Sequence, residues 1–218
     1  MDRKWKRILM TVIGTVFTGV SVGILRKAEL GTDPFTAFVT GCANAVHSSY
    51  GILYPIIIGI LLILVFFIDK HYIGLGTILN LFIIGAVADF SLKLLNVLYE
   101  ADTWMIRGIT LAIAIFVLCF ASSLYIAADL GVSSYDAVSL IMADKKIAQY
   151  RFCRIFTDVI CVLIAYVLHA QDCVGIGTII TAFGMGPIVQ FFIKHVAEKI
   201  LYRKESGSHV LLSKTPLP

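Results

Sequence analysis

Between Arg7 and Arg26 the chain runs eighteen residues, 8–25, without a charge. About 20 apolar residues cross the hydrocarbon core of a bilayer, so a run of this length is a membrane span before it is anything else. Five further candidates follow at 52–68, 72–92, 108–128, 155–171 and 173–193. The composition agrees: 59% of the residues are hydrophobic and 15% are charged, against roughly a quarter charged in a soluble domain. The expectation is an all-α, polytopic helical membrane protein with the bilayer as its main partner.

The first run follows MDRKWKR but has no small-x-small cleavage site before Lys27, which fits a retained first span better than a secretory signal. The net charge of +4 is not spread along the chain. Cations cluster at Arg3, Lys4, Lys6 and Arg7, at Lys145, Lys146, Arg151 and Arg154, and at Lys194, Lys199, Arg203, Lys204 and Lys214. Such clustering reports membrane topology rather than nucleic-acid binding and places both termini in the cytoplasm.

The chain also reads as two copies of one unit of about a hundred residues. AELGTDPFTAF from Ala28 and ADLGVSSYDAV from Ala128 share Ala28/Ala128, Leu30/Leu130, Gly31/Gly131 and Ala37/Ala137, with Glu29 against Asp129 and Phe35 against Tyr135. GLGTILNLFIIGAV from Gly74 and GIGTIITAFGMGPI from Gly175 share six of fourteen positions. The organisation is therefore a basic N-terminus at 1–7, one membrane repeat at 8–98, a second at 106–196 and a tail at 203–218.

In each half a glycine break introduces a short apolar segment, 34–46 and 134–143, too short to cross at 1.5 Å per residue. Gly31 permits tight geometry, Pro34 suits a first helical turn, and Asp33 or Thr36 can satisfy free N–H groups at a helix start. If these segments re-enter, there are six spans and the halves are inverted. If they cross, there are eight and the halves are parallel. Length favours six, and the positive-inside count does not separate the two. Short broken segments at matched positions point to a transporter's binding site; the competing reading is a loop with an interfacial helix.

Polar groups inside apolar runs are the candidate site. Arg154 and Asp158 stand at ion-pair spacing on one helix face, and Asp89 lies deep enough that it should face protein. With Asp33, Asn80 and Asp136 these are the candidate solute or ion contacts. Thr77, Asn80, Thr178 and Thr181 give the two GxGT helices a polar stripe suited to interhelical hydrogen bonds. Gly31, Gly74, Gly76, Gly85, Gly131, Gly175, Gly177 and Gly186 are expected to allow close helix packing.

Chemistry of other kinds finds no footing. GLGT lacks the lysine and spacing of a phosphate loop, and GMGP matches no dinucleotide fingerprint. Five cysteines without CxxC spacing suggest neither a zinc site nor a disulfide framework. The five histidines show no ligand spacing. The expectation is no metal, no cofactor and no catalytic group, hence not an enzyme.

ILRKAELGTDPFTA, GLGTILNLFIIGAVAD, LYIAADLGVSSYDA and GIGTIITAFGMGPIVQFF together resemble the bacterial YczE/YyaS/YitT family of small integral membrane proteins, over about residues 10–195. The resemblance implies a bacterial cytoplasmic-membrane protein and brings no chemistry with it. The charged pair that the family carries after its second break is kept as Arg154 and Asp158. Pro34 and Phe35 follow the first LG as in relatives, whereas Ser134 and Tyr135 depart from the proline.

The leading functional expectation is a secondary transporter or channel-like protein for a small solute, sited near the paired breaks. The alternative is a non-transporting scaffold, regulator or solute-binding subunit, docked through the basic turn at 144–154 and the C-terminal end. A homodimer is open to either.

Overall fold

The computed structural model describes residues 3–98, 103–168, 170 and 173–202, and every regular element among them is helical. In chain order these are α1 (Arg3–Ala28), α2 (Pro34–Ala45), α3 (Tyr50–Ile68), a 3₁₀ turn (Lys70–Tyr72), α4 (Leu75–Leu98), α5 (Trp104–Ala128), α6 (Ser134–Asp144), α7 (Tyr150–Val167) and α8 (Ile176–Phe192). From α8 the chain continues through a π-helical turn (Ile193–Ala197) into α9 (Glu198–Tyr202). The tail expected at 203–218 lies outside the described residues.

Two long helices, α1 and α5, form the centre. They run in opposite directions: Arg7 Nε donates to the Ala128 carbonyl at 2.5 Å, and Ser21 Oγ to the Ala114 carbonyl at 2.6 Å. The facing surfaces are small and weakly polar, with Thr11, Thr15, Thr18 and Ser21 buried on α1 and Ala114, Ala121, Ser122 and Ser123 on α5. Thr11 and Thr18 bond back to the carbonyls of Arg7 and Gly14 four residues earlier, so their hydroxyls cost little inside the bundle. At Gly14 a Cβ would stand 2.8 Å from the Ala121 carbonyl oxygen, which keeps the position free of a side chain.

Against this pair, α4 lies beside α1 in the same direction, Gly19 meeting Val87 and Gly23 meeting Ser91. On the other side α8 follows α5, Gly177 meeting Leu111 and Phe192 meeting Phe116 and Phe120. The close-approach glycines of α1 at Gly14, Gly19 and Gly23 were not anticipated from sequence, although Gly19 and Gly23 stand at the small-xxx-small spacing that carries this packing. Gly186 departs the other way: a Cβ there meets nothing within 4 Å, so its lack of a side chain serves no helix contact.

Much of the outer surface is large and apolar, including Ile60, Phe67, Phe82, Phe90, Phe183 and Phe191. A surface of this kind needs a non-aqueous partner, and five helices are long and apolar enough to span a membrane: Lys4–Ala28, Tyr50–Ile68, Leu75–Leu98, Trp104–Ala128 and Ile176–Leu201. In α1 and α5 56% of the apolar stretch is buried in protein, against 17% in α3; the central pair is largely covered by protein and α3 is not. The chain is a multi-helix membrane protein. The sixth sequence candidate, 155–171, corresponds to α7, which begins earlier, at Tyr150, and carries Arg151, Arg154 and Asp158 over its 18 residues.

Each LG break is held by the start of the distant GxGT helix. Gly177 N–H donates to the Leu30 carbonyl at 2.8 Å, and Gly76 N–H to the Leu130 carbonyl at 2.7 Å. Thr32 N–H reaches the Cys173 carbonyl at 2.9 Å, and Val132 N–H reaches that of Tyr72 at 3.2 Å. Gly31 and Gly131 adopt φ +100 and +101, and a Cβ at either would stand 2.5 Å from the amide nitrogen of Gly175 or Gly74. Glycine is required at both positions for conformation and for space. Glu29 and Asp129, at φ 52 and 50, take the same left-handed turn two residues earlier.

Helices α2 and α6 have 12 and 11 residues, about 18 and 16 Å of rise. The end of α1 and the start of α3 lie together: Arg26 of α1 and the Gly51 N–H of α3 both bond to Asp89, at 2.7 and 2.8 Å. The end of α5 and the start of α7 converge likewise on Asp136, through Tyr125 and Arg154. The segments on either side of each short helix are thus tied to a single carboxylate. On the far side of α3, the Tyr72 hydroxyl of the 3₁₀ turn donates to Asp144 at the end of α6. Burial, and then that carboxylate, raise the Tyr72 phenol above its ordinary pKa.

Candidate functional site: a charged cavity between two helix starts

The first turns of α2 and α6 converge from different directions. Phe35 and Tyr135, at the same position in each segment, stack with ring centroids 4.4 Å apart and planes at 22°. Around this pair lies a cavity of about 170 Å³. Its walls come from α1 (Thr18, Val22), α5 (Leu118, Ser122, Tyr125), α3 (Tyr50, Tyr54), α4 (Asn80, Ile84), α7 (Arg154, Asp158) and α8 (Thr181, Met185, Gln190).

Local chemistry explains why the short helices start here. Pro34 occupies the first turn of α2 with Asp33 as its N-cap, whose Oδ2 accepts from the Thr36 N–H at 3.0 Å. Ser133 stands at the N-cap of α6 without a side-chain cap bond, and Asp136 lies in the first turn instead, where a carboxylate is favoured by the helix dipole.

Asp136 and Asp158 are organised by Arg154. The guanidinium bonds to Asp136 Oδ1, and its Nε lies 3.5 Å from Asp158 Oδ1. The Tyr125 hydroxyl donates to Asp136 Oδ2 at 2.5 Å, and the Tyr135 hydroxyl to Asp158 Oδ1 at 2.5 Å. Arg154 also lies over the Tyr135 ring, 4.5 Å from its centroid. Every charge in this cluster thus has a charged or hydrogen-bonding partner, which is the condition for holding ions inside a membrane protein.

On the opposite wall the bonds are few and long. Thr36 and Tyr50 hydroxyls lie 3.5 Å apart, and the Tyr54 hydroxyl donates to Asn80 Oδ1 at 3.5 Å. Asp33 Oδ1 and Asn80 Nδ2 are buried without a hydrogen-bond partner. These are one acceptor and one donor, both on cavity-lining residues.

Of the six contact candidates read from sequence, Asp33, Asn80, Asp136, Arg154 and Asp158 line this cavity. Asp89 faces protein as expected but does not line it. Its carboxylate is taken by Arg26 and the start of α3, while Gln190, which aligns with it in the sequence, is a lining residue. Sequence reading missed Tyr54, Tyr125 and Tyr135. A tyrosine hydroxyl needing a partner when buried was the available signal. The GxGT threonines serve the breaks and their own helices rather than helix-to-helix bonds: Thr77 Oγ1 donates to the Val132 carbonyl of the second LG break at 2.8 Å, Thr178 Oγ1 to the Cys173 carbonyl just before α8 at 3.3 Å, and Thr181 Oγ1 back to the Gly177 carbonyl at 2.9 Å. Among the described residues no three His, Cys, Asp or Glu side chains are grouped to hold a metal ion.

Comparison with known proteins places the chain without adding chemistry. The model of DUF6198, a family of unknown function, matches residues 5–194. An uncharacterised protein of Haemophilus influenzae is 25% identical over 194 residues, 89% of this chain and 86% of its own. Two proteins of Bacillus subtilis are also similar. The uncharacterised protein YyaS is 21% identical over 89% of this chain and 96% of its own, and the uncharacterised membrane protein YczE 25% identical over 84% and 83%. No solved structure matches.

Proposed function

Since the chain belongs to the DUF6198 family, whose description names no activity, function has to be argued from the site, and we propose a carrier for a small solute in the bacterial cytoplasmic membrane. The observation that carries the proposal is the cavity: a central space lined by buried charges and by the starts of two short helices. Discontinuous helices whose N-termini meet at a polar site are the common device of secondary transporters. Charges inside a membrane protein are costly and are kept where a solute or ion passes.

The topology that goes with this reading has six crossings, both termini in the cytoplasm, and two inverted repeats. Its support is geometric. The segments on either side of α2 are tied to a single carboxylate, and so are those on either side of α6. The central helices α1 and α5, first in each half, run in opposite directions. At 18 residues α7 is about 27 Å long, enough to cross with its charged face turned to the cavity.

Ion pairs at matched positions stand at the two ends of the α1/α5 pair. Arg7 pairs with Asp129 at 2.9 Å, and Arg107 with Glu29 at 2.8 Å. In the carrier reading these are the contacts that rearrange when one face opens.

The test uses single cysteines in a background without the five native ones. Glu29→Cys and Asn44→Cys are expected to label from the outside, and Asp129→Cys and Lys145→Cys from the cytoplasm. Asn80→Cys, inside the cavity, is expected to react with a small impermeant reagent applied to either face. Labelling of 29 and 44 from opposite faces would remove the inverted topology. A cysteine at 80 that reacts from neither face would leave a membrane scaffold or regulator as the better reading.

A further inference from the structure

The charge balance of the cavity selects its ligand, and we infer that the site takes a small monovalent organic cation bearing N–H donors, such as a protonated amino alcohol. This deepens the carrier proposal and rests on the same cavity.

The balance is made from six groups. Each of the two helix starts contributes roughly half a positive charge, and Arg154 contributes one more. Against them stand the carboxylates of Asp33, Asp136 and Asp158, all lining the same space. Two positive equivalents face three negative ones, so one carboxylate is left over.

Hydrogen bonding identifies which. Asp136 accepts from Arg154 and Tyr125, and Asp158 from Arg154 and Tyr135. Asp33 uses Oδ2 on the Thr36 N–H, while Oδ1 is buried with nothing donating to it. A buried carboxylate oxygen in this state costs several times an ordinary hydrogen bond, and an N–H of a cationic ligand removes that cost. A quaternary ammonium has no N–H to give and is excluded on that ground.

Asn80 supplies the second requirement. It is 1% exposed, its Oδ1 accepts from Tyr54, and its Nδ2 has no acceptor. The ligand therefore carries an acceptor oxygen as well as the cation. Phe35, Tyr54 and Tyr50 line the same cavity, Phe35 and Tyr54 with centroids 6.0 Å apart and Tyr50 and Tyr54 5.5 Å apart. They offer an apolar wall that also attracts cations. A water-sized group needs roughly 10–15 Å³, so the cavity holds about a dozen, the size of a small organic solute.

The experiment is binding to the purified full-length protein in detergent, by calorimetry and by ligand-induced shift of the melting temperature. The probes are three hydroxy-amines of increasing size, ethanolamine, 4-aminobutanol and tyramine. Each is paired with the anion of matching shape: glycolate, 4-hydroxybutyrate and 4-hydroxyphenylacetate. At least one amine is expected to bind, and its carboxylate partner not to. Asp33→Asn should weaken that amine about tenfold or more, and Asn80→Ala several-fold.

Asn caps a helix as well as Asp does, so Asp33→Asn removes the charge while keeping the start of α2. An unliganded melting temperature close to the parent's checks this. Binding of a carboxylate probe in preference to its amine would overturn the inference while leaving a solute site in place. So would amine binding unchanged in Asp33→Asn, because a proton would then satisfy Asp33. If all six probes fail to bind, the inference falls, and labelling of Asn80→Cys from both faces then decides separately whether the cavity still belongs to a carrier.

Discussion

The two walls of the cavity are built from corresponding segments and hold their polar groups in opposite ways. On the α6/α7 wall Asp136, Arg154, Asp158 and Tyr135 form a closed network of charged partners. The residues a hundred positions earlier are the neutral Thr36, Tyr54, Ile58 and Phe35, of which Thr36 lies 3.5 Å from the Tyr50 hydroxyl and Tyr54 donates to Asn80 Oδ1 at 3.5 Å. The breaks that lead into α2 and α6 share backbone conformation, with φ 100 at Gly31 and 101 at Gly131. The lesson is that one architecture supports a rigid charged wall and a loosely bonded one facing it. The loose wall is where polar atoms are left for a ligand.

The sharpest way to break this contrast is Arg154→Ala. It leaves Asp136 and Asp158 buried without their cation, a loss of about 3–5 kcal/mol in comparable buried pairs. The expected result is a large fall in melting temperature in detergent, largely rescued by restoring a cation in Arg154→Lys. A fall as large from Tyr54→Phe, which removes only the polar group at the matching neutral position, would erase the distinction.

Second in size are Gly31→Ala and Gly131→Ala, which test where the walls agree. Each puts a Cβ into left-handed backbone 2.5 Å from a distant amide nitrogen, so losses of about 2 kcal/mol or more are expected at both. Equal falls in melting temperature support equivalent roles, and one silent substitution would deny them.

Third, Tyr135→Phe removes a hydrogen bond to a carboxylate, about 1.5–3 kcal/mol, whereas Tyr54→Phe removes a neutral one, about 0.5–1.5 kcal/mol. Denaturation of the two variants side by side measures the contrast directly, and the reverse order would refute it.

The smallest effect is expected at the ends of α1 and α5. Arg7→Gln and Arg107→Gln break partly exposed ion pairs, which contribute about 0–1 kcal/mol to stability. Their consequence should appear instead in access: Arg7→Gln should raise cytoplasmic labelling of Asn80→Cys, and Arg107→Gln labelling from the outside. High salt should weaken both differences.

How far the site was legible in sequence follows from the range of the interactions. Asp33 with Pro34 and Thr36, and Arg154 with Asp158, lie within four residues of one another, and helix geometry alone brings them together. The bond from Arg154 to Asp136 spans eighteen residues and a turn, and Arg26 to Asp89 spans 63. Asp89 reads as a site candidate because its depth in an apolar run is visible in sequence while the direction it faces is not. Gly186 misleads for the same reason, since matching a glycine in the other half does not say whether a neighbour lies against it.

What the sequence by itself determined is the solvent, the elements and their breaks. Uncharged runs of membrane length dictate long apolar helices, and Gly31, Pro34 and Gly131 dictate where the short helices begin, because these are demands on local backbone and burial. Tertiary packing alone brings the starts of α2 and α6 together, gives Asp136 and Asp158 one arginine, and leaves Asp33 Oδ1 and Asn80 Nδ2 without a hydrogen-bond partner. Those outcomes depend on which faces of distant helices meet, and that is settled by packing over the whole bundle.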